Sequence, residues 1–77
     1  MTNISDSLDY LVKAVVTDSS SIVITSREEG EMIFFEITAA PEIIGQIIGK
    51  EGKIIKSIRT ILNLSFPEIR YSLDIKG

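Results

Sequence analysis

The chain contains no cysteine and no histidine. Without thiols it has no disulfide to staple the fold, no thiolate metal ligand and no cysteine nucleophile. Without imidazole it lacks the side chain most often used as a general base near neutral pH. The carboxylates are scattered through the sequence rather than convergent, so no nucleophile–base pair and no metal cluster is visible. No catalytic residue, metal or cofactor is therefore expected. Long hydrophobic runs are missing as well: nothing approaches the ~18 apolar residues of a membrane span, and the start of the chain lacks the basic-then-apolar pattern of a signal peptide. These absences predict a soluble, cytoplasmic, non-enzymatic protein.

What is present is a core. At 77 residues there is room for one domain, residues 1–77, at the small end of what folds unaided. Hydrophobic residues make up 44% of the chain, many of them isoleucine, whose stiff side chain packs well against a sheet. Net charge is −3, which on its face disfavours a polyanionic partner. The distribution points the other way. Between residues 50 and 59 stand Lys50, Lys53, Lys56 and Arg59 against a single acid, Glu51. A local positive stretch on an acidic background marks an anion-binding face, although a lysine-rich solvated helix face gives the same pattern.

Periodicity lays out the elements. Leu8, Leu11, Val12, Val15 and Val16 recur at helical spacing, predicting a helix from about Asp6 to Thr17 capped by Ser5 or Asp6 and ended by the turn-forming "DSSS". "SIVITS" and "MIFFEIT" are β-branched and aromatic, and "REEGE" between them supplies Gly30, so they read as a hairpin with a loop of a few residues. On the second strand Ile33, Phe35 and Ile37 share one face. Pro41 suits the first position of a helix and Glu42 its positive end, with Ile43, Ile44, Ile47 and Ile48 as the apolar stripe. A second stripe, Ile54, Ile55, Ile58, Ile61 and Leu62, covers roughly a 120° arc of a further helix. "IRYSLDIK" alternates as a half-buried strand with Ile69, Tyr71, Leu73 and Ile75 inward, and Pro67 excludes helix through Ser65 and Phe66. The order is α-β-β-α-α-β, an α+β domain.

Between the two isoleucine stripes lies "IIGKEGKII". Gly49 and Gly52 bound a short loop where the backbone can turn sharply and another molecule can come close. Amides of the loop and of the next helix's first turn lack intrahelical partners and lie at a positive dipole end, a natural seat for phosphate. Nucleotide-binding loops of other kinds do not fit. Gly45 and Gly49 have three residues between them rather than four, Glu51 follows Lys50, and the glycines follow a helix rather than a strand.

These residues resemble a known signature. "IIGKEGKIIKSI" fills every fixed position of the KH-domain pattern [I/V]-I-G-x-x-G-x-x-I-x-x-I with Ile47, Ile48, Gly49, Gly52, Ile55 and Ile58. With the element order, "VKAVV" near the start and "APE" before the signature, the chain resembles the bacterial KhpA family of single type II KH domains. That resemblance implies a three-stranded sheet with helices packed on one face. It also implies RNA binding, with about four single-stranded nucleotides held by the Gly-x-x-Gly loop. Carried onto this chain, Gly49 and Gly52 allow close approach, Lys50 and Lys53 contact phosphate, and Lys56 and Arg59 extend the positive track. Ile48 and Ile55 flank the loop and form an apolar wall under the bases, unless they are simply core. Arg70 is a further candidate.

Glu51 departs from what a phosphate clamp wants, since its carboxylate sits inside the loop. It either points outward, pairs with a neighbouring lysine or weakens binding, and weak, sequence-tolerant binding is expected. No aromatic lies near the loop to stack bases. The resemblance further implies a homodimer, a heterodimer with a larger KhpB/Jag-type protein, or an RNA chaperone role. A protein-interaction module in which RNA binding is secondary stays open beside the RNA-binding reading.

Overall fold

The computed structural model describes residues 3–76. Its elements run α1 (Ile4–Ala14), β1 (Val23–Glu29), β2 (Met32–Thr38), α2 (Pro41–Ile48), a single 3₁₀ turn (Lys50–Gly52), α3 (Lys53–Ser65) and β3 (Arg70–Lys76). The expected α-β-β-α-α-β order of an α+β domain is thus the observed one. The three strands form one sheet in the order β1-β2-β3. β1 and β2 are an antiparallel hairpin, while β2 and β3 run parallel with Phe35 opposite Leu73. A parallel pair needs a crossover connection. Here α2, the turn and α3 provide it, so the whole glycine-bearing segment is carried across one sheet face.

The core follows from the periodicities. Ile4, Leu8 and Val12 of α1, Ile43 and Ile47 of α2, and Ile58 and Leu62 of α3 are buried against Phe35 and Ile37 of the central strand. All three helices therefore cover the sheet face that carries the odd-numbered residues of β2 and β3. Each fully buried aliphatic side chain contributes about 1.5–3 kcal/mol relative to leaving it in water. Among the described residues no helix is long and apolar enough to cross a membrane.

Several local expectations are corrected. α1 begins two residues before Asp6, and its cap is Asn3, whose side chain accepts from the Asp6 amide at 2.9 Å. It also ends at Ala14 rather than Thr17. The Thr17 amide, which in a longer helix would bond back into the preceding turn, donates instead to Gln46 Oε1 at 2.8 Å, a tertiary competitor invisible to local pattern. β1 continues through Arg27 to Glu29, leaving only Gly30 and Glu31 as the hairpin loop. A left-handed φ of 63° at the first loop position alone matches a type II′ turn.

Two members of the helical stripes are not core. Ile48 is 36% exposed and Ile61 45% exposed. Ile69 precedes β3 and is also exposed, because the strand begins only at Arg70. Ser65 is the last residue of α3, so the restriction from Pro67 reaches only its immediate neighbour Phe66, at φ −132°.

Candidate nucleic-acid interface

The glycine segment forms a tighter corner than a free loop. Gly49 ends α2 with its amide donating to Gly45 O at 2.8 Å, and takes φ 76° and ψ 174°. That region is essentially reserved for glycine. Space forbids a side chain there too: a Cβ on Gly49 would collide with Ile54 Cγ1 and lie 2.8 Å from Ile54 Cβ. Gly52 differs. Its φ is 73° with ψ 17°, ordinary left-handed helix, and a Cβ there would meet only Lys56 Cε, at 4.0 Å. Between them Glu51 adopts φ 58° and ψ 22°, a left-handed conformation that costs a non-glycine residue about 1–2 kcal/mol.

The turn consumes some of its own donors. The Gly52 amide donates to Gly49 O at 3.1 Å and the Lys53 amide to Lys50 O. The amide seat is therefore smaller than the sequence suggests, and the positive side chains carry more of the attraction. Lys50, Lys53, Lys56 and Arg59 are all exposed. Among the described residues none of them forms an ion pair; the paired cations are Lys13, Arg27 and Lys76. Glu51 forms no ion pair with a neighbouring lysine either, which removes local pairing from the alternatives for its carboxylate. Lys56 folds back beside Gly52, keeping its charge near the corner. Ile48 is exposed next to the turn and Ile55 is half-buried. The residue packed directly under the turn is Ile54, which the signature leaves unspecified.

From the corner, α3 and β3 run side by side and enclose a cleft of about 750 Å³ bordered by Glu31, Arg59, Asn63, Arg70 and Tyr71. Arg59 does not point freely along the helix. Its Nη2 donates to Leu73 O at 3.3 Å, so the guanidinium bridges α3 to the edge strand. The Tyr71 hydroxyl donates to Asn63 Oδ1 at 2.8 Å, with Arg59 O a more distant acceptor at 3.4 Å. Burial pushes the Tyr71 phenol above its usual range, with the Arg59 charge opposing, so the hydroxyl keeps its proton at neutral pH. Its ring meets Phe35 edge-on at 6.3 Å, which ties the cleft wall to the core.

The structure leaves Lys50, Lys53 and Lys56 exposed at and after the corner, and adds to the cleft Tyr71 and Asn63, which the sequence did not single out as site residues. Tyr71 reads as an inward strand residue, which it is. Its hydroxyl nonetheless emerges beside α3, and only the packing of helix on strand reveals that. Arg70, by contrast, lies on the outer register of β3 and reaches the same cleft from its end.

Comparison with known proteins bears on this geometry. The model of the KH domain of KhpA/KhpB matches residues 5–75. A protein named "RNA-binding protein KhpA" from Chlamydia caviae is 41% identical over 72 residues, covering 91% of this chain and 92% of that one. Proteins of the same name from Chlamydia trachomatis and Oceanobacillus iheyensis are 39% and 34% identical, covering 88% and 75% of this chain and 90% and 77% of theirs. No solved structure matches the chain.

Proposed function

The chain belongs to the KhpA/KhpB KH-domain family, and from that premise we propose that it is an RNA-binding protein that holds single-stranded RNA on the Gly49–Gly52 corner and along α3. The observation that carries this reading is the placement of unpaired cations. Lys50, Lys53, Lys56, Arg59 and Arg70 have no carboxylate partner among the described residues, and all lie on the corner, α3 or the cleft beside it. The cations elsewhere are neutralised within the chain. A track of unneutralised charge beside a backbone that admits close approach suits a sugar-phosphate strand of about four nucleotides.

Within the track the roles divide. Gly49 and Gly52 let the strand approach, Lys50, Lys53 and Lys56 attract its phosphates, and exposed Ile48 offers an apolar contact at the entry. Ile55, half-buried, supports that wall from beneath. Arg59 holds the edge strand while keeping its charge in the cleft. Glu51 works against binding, so the domain on its own binds weakly and with little sequence preference from the corner itself. Fluorescence anisotropy with a labelled short single-stranded RNA tests this reading. Binding that falls with salt at a slope of roughly −2 in log–log form, from about −0.7 per neutralised phosphate, is the expected result. A salt-independent affinity, or none, would contradict it.

A second reading is favoured by a separate observation. Tyr10 on α1 is 73% exposed, and Ile61 and Leu64 on α3 are 45% and 78% exposed. Tyr10 and Ile61 border one shallow groove with Leu11 between these helices. We infer that this apolar flank is the contact through which the domain pairs, with itself or with a KhpB-type protein. The two readings are compatible. A domain with a single short RNA footprint gains from pairing, because the second binding event becomes intramolecular.

A further inference from the structure

The far end of the cleft holds polar groups that phosphate attraction leaves unused. Glu31, in the two-residue hairpin loop, and Arg70, at the start of β3, border it together, since Arg70 is in register with Met32. Opposite charges so placed would be expected to pair, yet neither forms an ion pair or a side-chain hydrogen bond within the described chain. Across from them stands Asn63. With its Oδ1 held by the Tyr71 hydroxyl, its two Nδ2 hydrogens are left for a ligand. The cleft end thus offers a carboxylate acceptor, a guanidinium donor and an amide donor, beside the apolar side chains of Met32 and Ile69.

We propose that this cleft end reads a guanine base of the bound strand; the inference rests on the RNA-binding reading above. Guanine is the base that carries two adjacent donors, N1–H and N2–H₂, on one edge and two acceptors, O6 and N7, on another. A carboxylate accepts the first pair side by side, and an arginine fork donates to the second. Adenine places an acceptor where the carboxylate needs a donor. Uracil offers one donor flanked by two acceptors, and cytosine offers a single amino donor beside an acceptor. Asn63 lies about 16 Å along α3 from Gly52 at 1.5 Å per residue, so a strand whose phosphates rest on the corner brings a later base to this point.

The test uses the whole chain and a short oligoadenylate in which one guanine is stepped along the strand, read by fluorescence anisotropy. Guanine at one position should tighten binding about tenfold over adenine, and inosine there, which lacks the N2 amino group, should lose most of that gain. Glu31→Gln should abolish the preference without weakening binding of pure oligoadenylate, and Arg70→Lys should weaken the preference. Both side chains are exposed, so the fold is expected to survive. Equal affinity with guanine at every position overturns the inference, as does a preference that persists in Glu31→Gln. Free GMP displacing the RNA at the affinity of the guanine-bearing strand overturns it too, because the site would then read a nucleotide rather than a strand. Failure to bind any RNA would overturn the RNA-binding reading itself, whereas flat binding overturns only the guanine assignment.

Discussion

Helix α3 has two exposed flanks, and they differ in chemistry. At 100° per residue, Lys56, Arg59 and Asn63 fall within about 60° of one another, while Ile61 and Leu64 lie between about 80° and 160° away from them. Between the two, Ile58 and Leu62 are buried in the core. One flank presents charge that nothing in the chain neutralises, next to a cleft that opens onto an edge strand. The other presents apolar surface next to the equally exposed Tyr10 of α1. A single amphipathic pattern would need only one buried stripe and one solvated one. Three stripes on one helix leave two exposed surfaces of different chemistry, which is what the proposed RNA contact and the proposed pairing contact would each require.

Substitution at the corner from which both flanks start is expected to have the largest effect. Gly49→Ala puts a Cβ into Ile54 and forces a glycine-only backbone conformation, so a loss of about 3 kcal/mol or more in urea unfolding is expected, with both flanks displaced. Gly52→Ala, where space is open, should cost only about 1 kcal/mol, and a comparable loss at the two glycines would refute the distinction drawn between them. The two flanks separate next. Lys50→Asp with Lys53→Asp should lower RNA affinity at least about tenfold for all sequences alike, since backbone contacts carry position rather than sequence. Sedimentation of that variant should match the wild type.

Leu64→Glu with Tyr10→Ser should do the reverse. Self-association at micromolar protein, seen by sedimentation or light scattering, is expected in the parent and lost in the variant, while RNA affinity per domain stays within about twofold. The second expectation follows from placement, since neither Tyr10 nor Leu64 borders the cleft or the glycine corner. RNA binding that collapses with the apolar variant would merge the two flanks into one interface.

The smallest effects concern Glu51. Replacing it by Gly removes the left-handed penalty and the charge, and should raise stability by up to about 1 kcal/mol, less what the more flexible unfolded chain takes back. Glu51→Gln removes the charge alone. Tighter RNA binding in both variants, without a stability gain in Gln, would place the carboxylate toward the phosphates. Tighter binding in Gly alone would trace the effect to backbone freedom.

Much of this was legible in the residues. The spacing of Leu8, Val12, Ile43, Ile47, Ile58 and Leu62 named the core, because a helix buries what recurs at 3.6 residues whatever lies opposite. Gly49 and Gly52 named the corner, because few other residues can make it. Less legible were the isoleucines whose neighbours decide their fate. Ile48 and Ile61 sit within plausible stripes yet are exposed, since a stripe wider than the sheet can cover leaves its margins in solvent. Side-chain substitutes for backbone bonds were also unreadable: Gln46 takes the Thr17 amide from a residue 29 positions away.

Taken alone, the sequence determined the element order, the faces that are buried, the position of the tight corner and the local excess of positive charge. Each of these depends on neighbours within one or two turns, where stereochemistry and hydrophobic period act directly. Tertiary structure decided which cations stay unpaired, that Arg59 bridges to Leu73, that Tyr71 fixes the Asn63 amide and that Glu31 and Arg70 border one cleft without closing it. Those facts depend on how α3 lies against β3 after a parallel crossover. Residues brought together by that packing, rather than by sequence spacing, line the cleft beside the corner.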